Sequence, residues 1–337
     1  MRIRRRLPIV VAVLLVAAAL TLVVQLRKHA PPEAARLLPG ADGFVYVNLK
    51  WLRAVHATGQ LPPVSHDPEY ERFIQQTGFQ FERDLDEAAF AVHYPASWPG
   101  GGTGGPAPEP RFSEVLVGEF QGEHQRLTTY LRQAAQSVEN YHSVNIFTIA
   151  LEGRSLRVAV LSPDLVAASN HDDPAVIRGM VDRSRRLASP FGGPALLRQF
   201  YTRVPFASVA WAVLRAQPSR EGWGMLMPKP ATVVLSARYV RALHLRAEAF
   251  AASADDARAI ADKANVFLAV SHAAESAVGT HGTDSDVKAF FDSVEVKQED
   301  TRAILNAIVP PGFLHKALAD ASPETAPSAP ASAPPTK

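Results

Sequence analysis

Asn145-Ile-Phe-Thr-Ile-Ala-Leu-Glu-Gly-Arg-Ser-Leu-Arg-Val-Ala-Val-Leu161 decides the fold class. The runs Asn145–Leu151 and Arg154–Leu161 alternate in hydropathy, as half-buried strands do. Glu152-Gly153 between them is a short hairpin signal. Strands joined by so short a loop pair antiparallel, because a parallel pair needs a crossover of about a dozen residues or more. The expected class is therefore α+β with antiparallel sheets.

Upstream, Gly43–Leu49, Asp86–Tyr94 and Phe112–Phe120 read as strands. Asp67-Pro68 opens a helix through Gln76. Gly122–Val138 reads as another helix, with Leu127, Tyr130, Leu131, Ala134 and Val138 on one stripe. Downstream, Ser162-Pro-Asp164 turns the chain into a short strand, Leu165–Ser169, and Asp173 caps a helix that has Pro174 in its first turn.

From Phe206 the order begins again. Phe206–Leu214, Thr232–Arg238 and His244–Phe250 are strands, the last with Leu243, Leu245, Ala247 and Ala249 on one face. Ser253-Ala-Asp-Asp256 starts a helix whose stripe is Ala257, Ile260, Ala261, Ala264, Leu268 and Ser271. Thr283-x-x-Asp286 starts another, and Val294–Lys297 with Thr301–Val309 form a closing hairpin. Strand, strand, strand, helix, hairpin thus occurs twice. This predicts a tandem duplication of two antiparallel-sheet lobes, residues 41–200 and 201–320, each with helices on one face. Residues 27–40 are expected to be a stalk, the Gly/Pro-rich residues 95–110 a flexible loop, and the Pro/Ala/Ser residues 321–337 a disordered tail.

Leu7–Leu26 contains no charged residue and follows a basic arm, residues 1–6, with Arg2, Arg4, Arg5 and Arg6. As a helix it is roughly 30 Å long, the thickness of a bilayer's hydrocarbon. The positive-inside rule leaves the arm in the cytoplasm and delivers the rest across the inner membrane. The rival reading is a cleaved signal peptide. Its apolar core is normally about 7–15 residues, and Gln25-Leu-Arg-Lys28 takes the place of small cleavage-site residues.

The chain of 337 residues has a net charge of +2, but six positive residues and no acid lie in residues 1–28, so the remainder carries −4. A mildly acidic exported body argues against nucleic-acid binding. With 0 Cys there are no disulfides, catalytic thiolates or cysteine-ligated metals.

No motif carries an activity. Gly100–Gly105 lacks the Gly-Lys-Ser/Thr and helix of a phosphate loop and runs into Pro106 and Pro108. Ser285-Asp-Val-Lys288 matches Ser-x-x-Lys without the companion Ser-Asp-Asn and Lys-Thr-Gly elements. His171-Asp-Asp173 is the one tight His/carboxylate group, and Asp172 or Asp173 serves as a helix cap. Asp86 and Glu87 point to opposite faces of their strand. No catalytic, cofactor-binding or metal-ligating residue is assigned.

Between Arg178 and Glu221 eight arginines face two acids. Within that segment Arg183, Arg185, Arg186, Arg198 and Arg203 are the candidate anion- or partner-binding residues, for anionic lipid, an acidic glycan or an envelope protein. Solvated arginines of an inter-lobe connection are the plainer reading.

Leu37-Leu-Pro-Gly-Ala-Asp-Gly-Phe-Val-Tyr-Val-Asn-Leu49, Leu161-Ser-Pro-Asp-Leu-Val-Ala-Ala-Ser-Asn170 and Val309-Pro-Pro-Gly312 carry a resemblance. In these the chain is similar to uncharacterised bacterial single-pass membrane-anchored proteins with a two-part α+β extracytoplasmic region. The resemblance implies the layout and no activity. The function expected is a membrane-tethered binding or scaffolding protein of the cell envelope. The alternative is an envelope hydrolase with a site dispersed in the sequence.

Overall fold

The computed structural model describes residues 30–56, 66–95, 109–119, 124–151, 153–185, 193–218, 227–278 and 285–313. The expected anchor Leu7–Leu26, most of the Gly/Pro loop and the tail lie outside them. No helix among the described residues is long and apolar enough to cross a membrane.

The hairpin that decided the class is formed by β5 (Val144–Leu151) and β6 (Arg154–Ser162), paired antiparallel with Ile146 opposite Ala159. Every other pairing is antiparallel too. Around β1 (Gly43–Asn48), β2 (Leu85–His93), β3 (Arg111–Gly118), β4 (Ser137–Tyr141) and β7 (Leu165–Ser169) make the first half. The second half contains β8 (Ala210–Ala216), β9 (Ala231–Tyr239), β10 (Leu243–Ala251), β11 (Glu295–Glu299) and β12 (Arg302–Val309). The two halves form one twelve-stranded sheet, in the order β11-β12-β10-β9-β8-β1-β2-β3-β7-β6-β5-β4. The junction is the pairing of β1 with β8, Tyr46 opposite Trp211. Continuity follows because β1 and β8 are each the first strand of their half and pair with each other.

Helices pack on both faces of the first half, a correction to the one-face expectation. On face A, α1 (Glu33–Leu37), α6 (Ala175–Ser184) and α7 (Ala195–Phe200) bury Leu37, Leu38, Ile177, Met180 and Leu197 against Phe44, Ala89, Val115 and Ala167. On face B, α5 (His124–Ala134) packs Leu127 and Leu131 onto Phe147, Val158 and Val166, beside α3 (Pro68–Thr77). Two-sided cover is what β7 requires, since all five of its residues are buried. In the second half α8 (Ala254–Val278) covers face B, with Ile260 and Ala261 on Val233, Ala249 and Ala303, as its stripe predicted, while on face A α7 extends over Trp211 and Val213 of β8. α9 (Ser285–Asp292) follows α8.

Two further expectations need correction. Residues 33–38, placed in a stalk, belong to the core: Ala34, Ala35, Leu37 and Leu38 are fully buried, and Arg183 Nε donates to the Leu37 carbonyl at 2.7 Å. Their Pro-rich flanks disguised a short apolar helix. The helix expected to reach Val138 stops at Ala134, and Ser137–Tyr141 is an edge strand. There His142 (φ 48°) and Ser143 (φ 65°) supply the left-handed turn of a tight hairpin without any glycine.

Candidate functional site

Period-two alternation gives β9, β10 and β12 an apolar side for α8 and a set of polar residues on face A, whereas Trp211 and Val213 of β8 and the adjoining Val234 of β9 are apolar on face A and buried in the cluster that α7 joins. Ser236 and Arg238 of β9, His244, Arg246 and Glu248 of β10, and Arg302 and Asn306 of β12 make up that polar set. α7 covers its inner edge, packing on β8 and setting Phe200 against Phe250, while Arg238, His244 and Arg246 lie beyond that contact. Arg238 stands directly opposite His244, and Arg246 stands between Ser236 and Asn306. Glu248 is only 5% exposed although it lies on this face. Arg246 Nε donates to its Oε1 at 2.8 Å, and Arg302 Nη1 lies 3.3 Å from its Oε2. The two guanidinium groups satisfy a carboxylate that burial alone would penalise. Arg246 Nη1 also donates to Asn306 at 3.4 Å.

A cavity of about 490 Å³ opens at one end of this face, lined by Ser236, Arg238, His244, Arg246, Glu295 and Asn306 among others. Pro205 is shared with a second cavity of about 530 Å³, bounded by residues 201–208. The turn between them is unusual. Ala207 has φ 61°, a strained conformation for a residue with a Cβ, and Phe206 beside it is 74% exposed. Tyr201, on the wall of the second cavity, sits edge-on to Trp211, which stacks on Tyr46. Behind them burial holds the Glu87 carboxyl above its ordinary range, with Tyr46 hydrogen-bonded to it. Burial and the Glu87 charge push the Tyr201 hydroxyl up to about 12. The cleft therefore has an aromatic, acid-backed end and an arginine-rich end. It offers many donors but no nucleophile activated by a base.

Compared with protein-family models, curated proteins and solved structures, the chain matches none.

The five arginines singled out from the sequence do not converge. Arg183 is a core residue; burial lowers its pKa, and its Nη2 has no hydrogen-bond partner. Arg185 ends α6, Arg198 is exposed on α7, and Arg186 lies outside the described residues. Arg203 lies nearest the cleft, its guanidinium 5.6 Å from the centre of the Phe250 ring. Arg178, in the same segment, pairs with Glu139 at 2.8 Å. The cleft's own bases went unrecognised because they are spread over three strands. Their signal was the polar alternate register, His244, Arg246 and Glu248, opposite the apolar register Leu243, Leu245, Ala247 and Ala249.

The nearest approach to catalytic geometry lies elsewhere on face A. His93 Nε2 is 3.3 Å from Ser113 Oγ, which is 2.9 Å from Ser169 Oγ. Burial, and then the neighbouring His171, push the His93 imidazole down to about 4. Both serines are buried, however, and they satisfy each other and the backbone carbonyl of Phe112, so no substrate carbonyl can reach them. Asp173 Oδ1 accepts the Ala175 amide at 2.8 Å, as the capping reading expects, while Asp172 pairs instead with Arg111. Among the described residues no three His, Asp or Glu side chains converge as metal ligands.

Proposed function

We propose that the protein is a membrane-tethered, non-catalytic binding or scaffolding module of the bacterial cell envelope, and that it binds through face A of its second half. Leu7–Leu26 is its single anchor in the inner membrane, the basic arm stays cytoplasmic, and the folded body lies on the extracytoplasmic side. The apolar length and the arginine asymmetry support this placement.

The observation that carries the binding assignment is the one-sided cover of the sheet. Helices enclose the first half on both faces, while the second half, beyond the part of β8 that α7 covers, keeps an arginine-rich polar face and two adjoining cavities. The halves also share a plan. Each has a three-strand meander, a helix and a return whose last strand pairs with the third strand, β7 with β3 and β12 with β10. This supports a tandem duplication in which the second copy has kept one face for partners.

The test is capture from envelope membranes with the full chain, comparing wild type with an Arg238→Ala, His244→Ala variant, which leaves the Arg246–Glu248 pair intact. A specific protein, lipid or glycan recovered by the wild type and lost from the variant is the expected result. Equal recovery from both, or none from either, contradicts the assignment.

A further inference from the structure

The corrected position of α1 has a geometric consequence. Pro31 is already buried, and Ala34 and Ala35 are core residues, so the folded body begins five residues after Leu26. Five residues span at most about 17 Å. On the tethered reading, the part of the body nearest Pro31 is therefore held close to the lipid headgroups.

The register identifies that part. Glu33 lies close enough to Glu87 for its charge to act on that carboxyl. Glu87 pairs with Asn48 at the final residue of β1, and Val47 pairs with Ala210 at the start of β8. Ala210 pairs in turn with Ala237, near the end of β9. The chain thus enters over β2 and β3, and the same end of the sheet carries, two to five strands along from β2, the Pro205–Ser208 turn, the β9–β10 turn and the last residues of β12.

That end has its own composition. Phe206 is 74% exposed, Val240 54% and Ile308 41%. Arg238, Arg241 and His244 stand among them, with Arg241 held at φ 82° in the β9–β10 turn. Acids at the same end flank this group on both sides: Asp84, Asp86 and Glu87 at the start of β2, with Asp164 before β7, and Asp292 and Glu295 at β11. Exposed apolar tips beside bases match an anionic lipid interface, where the tips enter the headgroup layer and the bases meet phosphate.

We infer that the end of the second half formed by Phe206, Val240, Arg241, Arg238, His244 and Ile308 rests on the anionic surface of the bilayer that holds the anchor. This deepens the proposed function and rests on its tethered reading. It makes the cavity beside Arg238 face the headgroups.

The absence of Cys allows single-site labelling of the full chain. Val240→Cys and Phe206→Cys would carry a polarity-sensitive fluorophore in phosphatidylcholine vesicles with and without phosphatidylglycerol. Thr301→Cys, at the opposite end of β12, is the comparison. Quenching by a lipid-borne quencher at positions 240 and 206, absent at 301 and stronger with phosphatidylglycerol, is expected. Arg241→Glu in the Val240→Cys chain should weaken the phosphatidylglycerol effect about fivefold or more. Equal quenching at 240 and 301, or none at 240 and 206, in a chain that resists alkaline extraction overturns the inference and leaves the tether standing. Release of the chain by alkali overturns the tether itself. Protection of position 240 by soluble polygalacturonate but not by lipid overturns the inference in favour of an acidic glycan.

Discussion

On face A of β3, Val115 is buried and Val117 packs into the cluster beneath α1 and α6, whereas on face A of β10, His244, Arg246 and Glu248 lie outside that cluster. The strands have the same backbone period and belong to one sheet. The difference lies in transfer free energy. Burying valine or phenylalanine under a helix contributes roughly 1.5–3 kcal/mol each. Burying an arginine removes hydration that a helix surface cannot replace. A helical layer therefore forms over the first half and over Trp211 and Val213 of β8, and has less to gain over the arginines of β9, β10 and β12. Glu248 shows how the second half tolerates its own polarity: the charge is cancelled within the face by Arg246 and Arg302. That leaves Arg238 and His244 opposite one another as the bases able to meet an external anion.

This contrast can be broken first in the core. Phe44→Ala, under the helices of face A, is expected to lower stability by about 3–5 kcal/mol, while His244→Ala changes it by less than about 0.5 kcal/mol in urea unfolding. Similar losses at both sites would mean that face A of β10 is covered after all. Glu248→Ala should cost on the order of 2 kcal/mol, since it leaves two guanidinium groups facing each other. Glu248→Gln is expected to recover part of that loss.

A third expectation concerns pH. His93 has a folded pKa of about 4, below its ordinary value, so the unfolded chain takes up the proton first as pH falls. Its contribution is whole above about 6.5 and is lost on the way down to about 4; allowing for partial solvent exposure it amounts to about 1–2 kcal/mol. Unfolding at pH 7 and pH 4.5 should show this slope in the wild type, and His93→Gln should flatten it. The smallest effect belongs to the edge hairpin of the first half. Ser143→Gly relieves a left-handed residue and should stabilise the protein by about 0.5–1 kcal/mol, read as a raised unfolding midpoint.

Local rules were enough to read most of the strands, but not β4, whose start lies in the expected Gly122–Val138 helix, nor the start of β8, where Phe206–Ser208 is a turn. The Asn145–Leu161 hairpin, the β10 alternation and the Ala257–Ile260–Ala261 stripe all follow from period and turn chemistry. The joining of two halves through β1 and β8 was not readable, because no local pattern states which strand edge meets which. The α1 segment was misread because five helical residues between prolines look like a linker, and only its burial under Arg183 shows otherwise. The arginine-rich segment drew attention by density along the chain. The cleft instead gathers Arg238, Arg246 and Arg302 from positions far apart, a proximity that only the sheet register creates.

The most direct test of the division between covered scaffold and binding face is site-specific photo-cross-linking of the full chain in its native membranes. A benzophenone side chain at position 244, on face A of the second half, is compared with one at position 138, exposed on the edge strand of the first. The account predicts discrete adducts from position 244 and none from position 138. Adducts from 138 alone, or no adducts from 244, would contradict it.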